Sequence, residues 1–328
     1  MMKDQKAEIL RLKREGKGYK TISRLTGVNL NTVKTTCRRS GLFRDNPEHR
    51  VLFTIPEQKY STALALPKPL PPQCAVTGDK QTDAYLWVLS VIKTGEPAHI
   101  AAAEEALKKL TITPKQAQGN YTRHLQAQGA GWTSVFSTMW MDNPQHYIEG
   151  AKRQRENALA ARGAFGSYEA AMEPTEAERR MLAECGEIYD DECYGWSDEE
   201  RQQGSISGNR IIEAWDVRKA ASKGFADVLP DPYTLSDVVR EFEYWSWLYR
   251  MRSAARKEID PGGYDDGDGP IADREAWLDK KLETLRPRDQ REALAVLKWY
   301  LQSERHQGSY GADSDAVYLN LIGAHGDV

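Results

Sequence analysis

The chain has 328 residues, 40% of them hydrophobic and 28% charged, with a formal net charge of -3; these proportions exclude overall disorder and place it among folded globular proteins. No apolar run approaches the roughly 18 residues of a membrane span, and the opening Met-Met-Lys-Asp-Gln-Lys lacks the apolar core of a secretion signal, so a cytoplasmic protein without membrane partners is expected. The near-neutral total hides an asymmetry: residues 1–50 carry 13 Lys and Arg against 5 Asp and Glu, a net +8, and the remainder 32 against 43, a net -11.

In residues 3–15, Ala7, Ile9, Leu10 and Leu12 recur at helical spacing among charges until Gly16 and Gly18 break the pattern, which predicts a first helix. A second is expected over Tyr19–Thr26, with Ile22 and Leu25 on its apolar face and Gly27 able to take the left-handed conformation after it. Asn29 is placed to cap a third, over 30–40, that buries Leu30, Val33 and Cys37 and exposes Asn31, Lys34, Thr35 and Arg38. Residues 1–50 thus read as one small domain. The segment 51–81 runs through Pro56, Pro67, Pro69, Pro71 and Pro72 with no sustained period, the mark of an extended linker.

Residues 82–328 read as a larger, acidic α-helical domain, with helices expected over 83–93, 96–110, 114–128, 145–162, 206–223, 235–258, 271–285 and 288–303. Pro97 and Pro114 sit where a first helical turn tolerates proline. The stretch 169–200, with Glu173, Glu176, Glu178, Glu184, Glu187, Asp190, Asp191 and Glu192, is expected to be partly helical and solvated. Trp245, Trp247, Leu248 and Met251 give the helix expected over 235–258 a heavy apolar face. Period-two runs of β-branched residues are short and isolated, so the predicted fold class is mainly α.

The segment 19–39, Tyr-Lys-Thr-Ile-Ser-Arg-Leu-Thr-Gly-Val-Asn-Leu-Asn-Thr-Val-Lys-Thr-Thr-Cys-Arg-Arg, carries the clearest chemical signal. Two short helices joined at a glycine, with apolar positions on both sides, allow the second to stand clear of the body while its polar side chains reach base edges and phosphates. The segment resembles the helix-turn-helix of phage repressors and of the DNA-binding ends of resolvase and invertase recombinases, over about 40 residues. Ile22, Ser23, Gly27, Val28 and Val33 occupy the positions that set the angle between the helices in that family, Ser23 in place of the more usual alanine. The resemblance implies DNA contacts by Asn29, Asn31, Thr32, Lys34, Thr35 and Arg38, with Lys17, Lys20, Arg39 and Arg44 adding phosphate contacts at the flanks. Asn side chains pair with adenine and Arg or Lys with guanine, but the same groups also grip phosphate.

Elsewhere the chemistry is sparse. The carboxylate pairs Glu104-Glu105, Asp190-Asp191 and Asp265-Asp266 would have to converge in space to hold a metal. The loop 260–270 fails the calcium-loop spacing, because Pro270 falls on a ligand position and Trp277 on the twelfth from Asp266. Cys37, Cys74, Cys185 and Cys193 form no CxxC pair, and His49, His99, His124, His146, His306 and His325 lie far apart. With neither a GxxxxGK[ST] nor a strand-borne GxGxxG motif, no cofactor and no catalytic centre are expected. The recombinase chemistry of the resembled family is not expected here, since the helix-turn-helix already occupies the N-terminal region.

The expected function is sequence-specific binding of double-stranded DNA, in the manner of a transcriptional regulator of a phage, plasmid or other mobile element. One helix-turn-helix makes few contacts, so a homodimer or higher homo-oligomer is expected. The nine tryptophans are either core or a surface for a protein partner. Two other readings stay open: a DNA-packaging or partition factor that marks a site and recruits machinery, and a nucleic-acid-processing enzyme whose carboxylates meet only in the fold.

Overall fold

The computed structural model describes residues 3–14, 17–40, 44–62, 68–131, 138–260, 269–303, 305 and 313–323. The chain is mainly α-helical, with no strand among the described residues. Many of the helices start where a side chain satisfies the first free backbone N–H groups. Asn29, Asn46, Asp79 and Asn143 do so singly, and Thr113, Thr175 and Ser197 do so as reciprocal capping boxes with Gln116, Glu178 and Glu200. No described helix is long and apolar enough to cross a membrane.

The chain divides into two compact units that interleave along the sequence. The first takes Met1–Ile55, Pro174–Leu248 and Tyr264–Val328, and the second Pro56–Glu173 and Tyr249–Gly263. The helix Leu235–Ile259 therefore contributes residues to both. The acidic excess lies in the first unit, which carries 29 Lys and Arg against 35 Asp and Glu even with the basic N-terminal segment included, whereas the second carries 16 against 13.

In the first unit, α1 (Lys3–Arg14), α2 (Tyr19–Thr26) and α3 (Leu30–Arg39) enclose a small core of Ile9, Leu12, Ile22, Val33 and Cys37, flanked by Tyr19 and Val28. Leu25 departs from expectation: it is 58% exposed. The buried stripe of α2 runs through Ile22, with Tyr19, Ser23 and Thr26 half-buried, and a core this small has no room for a second leucine. Leu30 is likewise only half-buried.

A short helix, α4 (Pro47–Leu52), follows in sequence and was not anticipated. It fixes the chain to the rest of the first unit. The Asp45 carboxylate takes Arg240 at 2.7 Å and Arg288 at 3.0 Å, and Asn46 donates its backbone N–H to Asp237 and its side-chain amide to the Asp231 carbonyl, both at 2.8 Å. His49, fully buried, meets Glu241 at 2.7 Å, and Phe53 packs edge-on against Tyr244 and Trp245.

Glu241 is the hub of that core. Arg274 donates to both its oxygens, through Nε at 2.7 Å and Nη2 at 3.1 Å, and its remaining Nη1 donates to the Gly224 carbonyl at 2.8 Å. Both side chains are fully buried. Burial pushes the Glu241 carboxyl up, but the Arg274 guanidinium and the His49 ring prevail and hold it below its ordinary value. Gly224 sits at φ +60°, and a Cβ there would fall 2.2 Å from Cβ of Trp277, whose ring carries the Arg274 guanidinium at 4.1 Å.

The acidic stretch is partly helical and largely solvated, as expected, with Glu173, Glu176, Glu184, Glu187, Asp190 and Glu192 exposed, and two of its acids are held more closely. Glu178 is buried, its carboxylate accepting from the Thr175 backbone at 2.7 Å. Arg210, assisted by the Ser197 backbone, holds Glu200 down to about 2. A further unanticipated helix, Ser314–Ile322, packs near Tyr300, and Asn320 donates to the Leu282 and Leu285 carbonyls at 2.8 Å each.

In the second unit, α5 (Lys80–Lys93), α6 (Pro97–Leu107), α7 (Pro114–Ala127) and the helix Pro144–Phe165 close around Tyr85, Val88, Leu89, Ile92, Ile100, Met141 and Ile148. The proline-rich segment between Phe53 and Asp79 is free of helix among its described residues. It is nonetheless docked: the Lys59 and Tyr60 backbone N–H groups donate to the Gly163 carbonyl at 2.9 and 3.0 Å, and Trp87 donates to the Pro71 carbonyl at 2.8 Å.

Candidate nucleic-acid interface

Local sequence dictates how α3 is presented. Gly27 ends α2 at φ +66°, ψ +7°, the left-handed conformation that a side chain disfavours. Ser23 Oγ then donates to the Val28 carbonyl at 2.6 Å, binding the start of the turn to α2. Thr26 donates back to Ile22 at 2.7 Å. One residue past Val28, the Asn29 side chain accepts the Asn31 backbone N–H at 2.8 Å and starts α3. The polar residue at Ser23, the departure from the resembled pattern, therefore has a structural task of its own.

Val33 and Cys37 turn inward and are fully buried, with Thr36 beside them. Burial pushes the Cys37 thiol up, away from the reactive thiolate form. The opposite face of α3 is open: Asn31, Thr32 and Thr35 are exposed, as is Asn29 before them, and Lys34 is half-exposed. Lys17, Lys20 and Arg44 are also exposed. Arg38 and Arg39 lie in the last turn of α3, and their side chains fall outside the described residues. Arg24 on α2 is exposed as well, a cation that the sequence analysis did not single out. Its signal was present in the sequence: between Glu15 and Asp45 there is no acidic residue at all, against Lys17, Lys20, Lys34, Arg24, Arg38, Arg39 and Arg44. Lys13 differs from these, since its ammonium lies 4.5 Å from the centre of the Tyr19 ring and burial lowers its pKa.

The other sequence candidates do not assemble into a centre among the described residues. Among the described residues, no group of three or more His, Cys, Asp or Glu side chains is placed to hold a metal ion. Asp265 and Asp266, with residues 261–268 of the loop, and His306 and His325 lie outside the described residues, as does Trp132. Asp191 pairs with Arg201 at 2.7 Å, and Glu105 with Lys108 at 2.6 Å. The four cysteines are free thiols. No family model, curated protein or solved structure matches the chain.

The turn sets a first prediction. A Cβ at Gly27 would meet no atom within 4 Å, so Gly27→Ala is penalised by backbone conformation alone, at about 1–2 kcal/mol. Cys37, buried beneath α3, reports the change: its alkylation rate under native conditions should rise roughly 5- to 30-fold, the same free energy expressed as local opening. An unchanged rate would show that the turn does not hold the three helices together.

Proposed function

We propose that the chain is a sequence-specific double-stranded-DNA-binding protein, a regulator in the style of those of phages, plasmids and other mobile elements, and that α2 and α3 are its helix-turn-helix. The observation that carries this reading is the exposed face of α3, which bears Asn31, Thr32 and Thr35 behind the Asn29 cap, within a span that holds seven cations and no acid. Such a face enters a major groove without an unpaired carboxylate meeting phosphate. Asn31 and Thr32, in the first turn of α3, stand where this motif reads base edges. Lys17, Lys20 and Arg24 before α3 in sequence and Arg44 after it, all exposed, are the flanking phosphate ligands, with Lys34, Arg38 and Arg39 on α3 itself. The chain acts as a homodimer, whose two heads occupy the halves of a palindromic site.

The test is selection from random duplexes by the intact protein, beside the variant Asn31→Ala with Arg38→Ala. Enrichment of a palindromic sequence, lost in the variant, is expected. Retention without any enriched sequence, or enrichment that the variant keeps, would sink the assignment of α3 as the reader.

A further inference from the structure

The second unit contains a cleft of about 1040 Å³ between the C-terminal part of α5, the helix Pro144–Phe165 and the segment from Tyr249. Its charge is one-sided. Lys93, Arg153, Arg250 and Lys257 line it and are exposed, and among the described residues none of them is paired with an acid. The remaining pair, Lys68 and Glu258, is already joined at 2.7 Å. Four cations focused into one concavity repel one another and raise the local concentration of anions.

The same cleft is also aromatic. Trp140 is 54% exposed and Tyr249 59%, although large aromatic side chains gain most by burial. The Trp140 indole is stacked on His146, with ring centres 5.1 Å apart and planes at 25°. Trp140 also has φ +65°, a conformation that strains a residue other than glycine and that recurs where a side chain is held for binding. Its carbonyl accepts from the Asn143 backbone at 2.9 Å, which ties the strained turn to the residue capping the following helix. Ser90, Gln154, Asn157 and Ser253 supply polar groups deeper in the cleft.

A flat apolar platform beside several unpaired cations matches one ligand chemistry, a heteroaromatic base carrying phosphate. We infer that this cleft is a nucleotide-binding site, in which Trp140 and Tyr249 offer stacking faces to the base and Arg153, Arg250 and Lys257 take the phosphate. The same chemistry is presented by a free nucleotide and by a nucleotide within a single strand. The site is independent of the duplex-binding role assigned to α3, and its ligand is a nucleotide with its base exposed.

The experiment titrates the 328-residue chain into two fluorescent probes, a ribose-labelled ATP and a short labelled oligothymidylate. Because the basic N-terminal helices attract any polyanion, the measurements are made in the variant Lys17→Gln, Lys20→Gln, Lys34→Gln as well as the unaltered chain. Binding of the first probe alone assigns the free nucleotide, and binding of the oligothymidylate assigns the strand; either supports the inference. Arg153→Glu with Arg250→Glu should weaken binding at least tenfold, and so should Trp140→Gly, at roughly the loss expected for one stacked base. Glycine also relieves the positive φ, so Trp140→Gly should keep or raise the melting temperature while losing affinity, a split that a merely structural tryptophan would not give. Absence of binding to both probes overturns the inference. So does binding that only the arginine changes affect, or displacement of the probe by inorganic phosphate or polyglutamate as effective as that by nucleotide.

Discussion

Replacing Arg274 by methionine is expected to remove about 3–5 kcal/mol of folding stability, the usual consequence of leaving one member of a buried ion pair unpartnered. Methionine fills much of the same volume, so the loss is not that of a cavity. What remains is Glu241, fully buried, deprived of two charge-assisted hydrogen bonds and left with His49 and the Trp245 indole N–H at 3.2 Å. The Gly224 carbonyl loses its donor as well. Chemical denaturation of the variant measures the effect, and a loss below about 1 kcal/mol would show that the pair contributes little. The double change Arg274→Met with Glu241→Leu should recover part of the stability, because neither charge is then stranded although His49 and the Trp245 indole lose their acceptor. Acid should act in the same direction as the single variant. The folded pKa of Glu241 lies below its unfolded value, so its contribution is fully present above the ordinary carboxylate range and is lost as pH falls through the folded value. The Arg274→Met chain should therefore lose less on acidification than the unaltered one.

Neutralising Lys17, Lys20 and Lys34 to glutamine should weaken duplex binding by about 10²–10³ near 0.1 M salt. Each phosphate contact releases about 0.9 of a counterion, worth roughly eightfold per contact between 1 M and 0.1 M salt. Three contacts then multiply to about 500-fold, and the slope of log affinity against log salt should become shallower by about 2.7. Lys17 and Lys20 are exposed and Lys34 half-exposed, so the fold should be unchanged. Preference among sequences should survive if, as proposed, these cations position the protein and Asn31 and Thr32 discriminate. A variant that binds as tightly and with the same salt slope would place the DNA contacts elsewhere.

Much of the architecture was legible because it is local. The Gly27 stop, the Asn29 cap and the inward positions of Val33 and Cys37 follow from neighbours within a few residues, and the structure carries each of them. α4 was missed because a helix of 6 residues presents no period to read, and it was masked by its place beside a proline-rich segment. Ser314–Ile322, with 9 residues, is also too short to show a sustained apolar face. His49 is harder still: its role depends on Glu241, 192 residues away, and on Arg274 beyond it, and no pattern along the chain links them. The nucleotide cleft has the same character. Lys93, Trp140, Arg153 and Arg250 come from separate stretches, and each alone looks like an ordinary surface residue. The Trp-rich segment divides similarly, Trp245 into the core and Tyr249 into solvent, along a single helix.

The anchoring of Asp45 also limits how far α3 can travel. Ser40, just past the end of α3, is 5 residues from Asp45, a leash of at most about 18 Å when fully drawn out. That is about half of one DNA turn, which is roughly 34 Å. In the homodimer proposed above, the distance between the two α3 helices would thus be governed mainly by where Arg240 and Arg288 hold Asp45 in each copy. On that proposal, changes in α3 would alter which letters are read, whereas changes around Asp45 would alter the ruler by which two half-sites are measured.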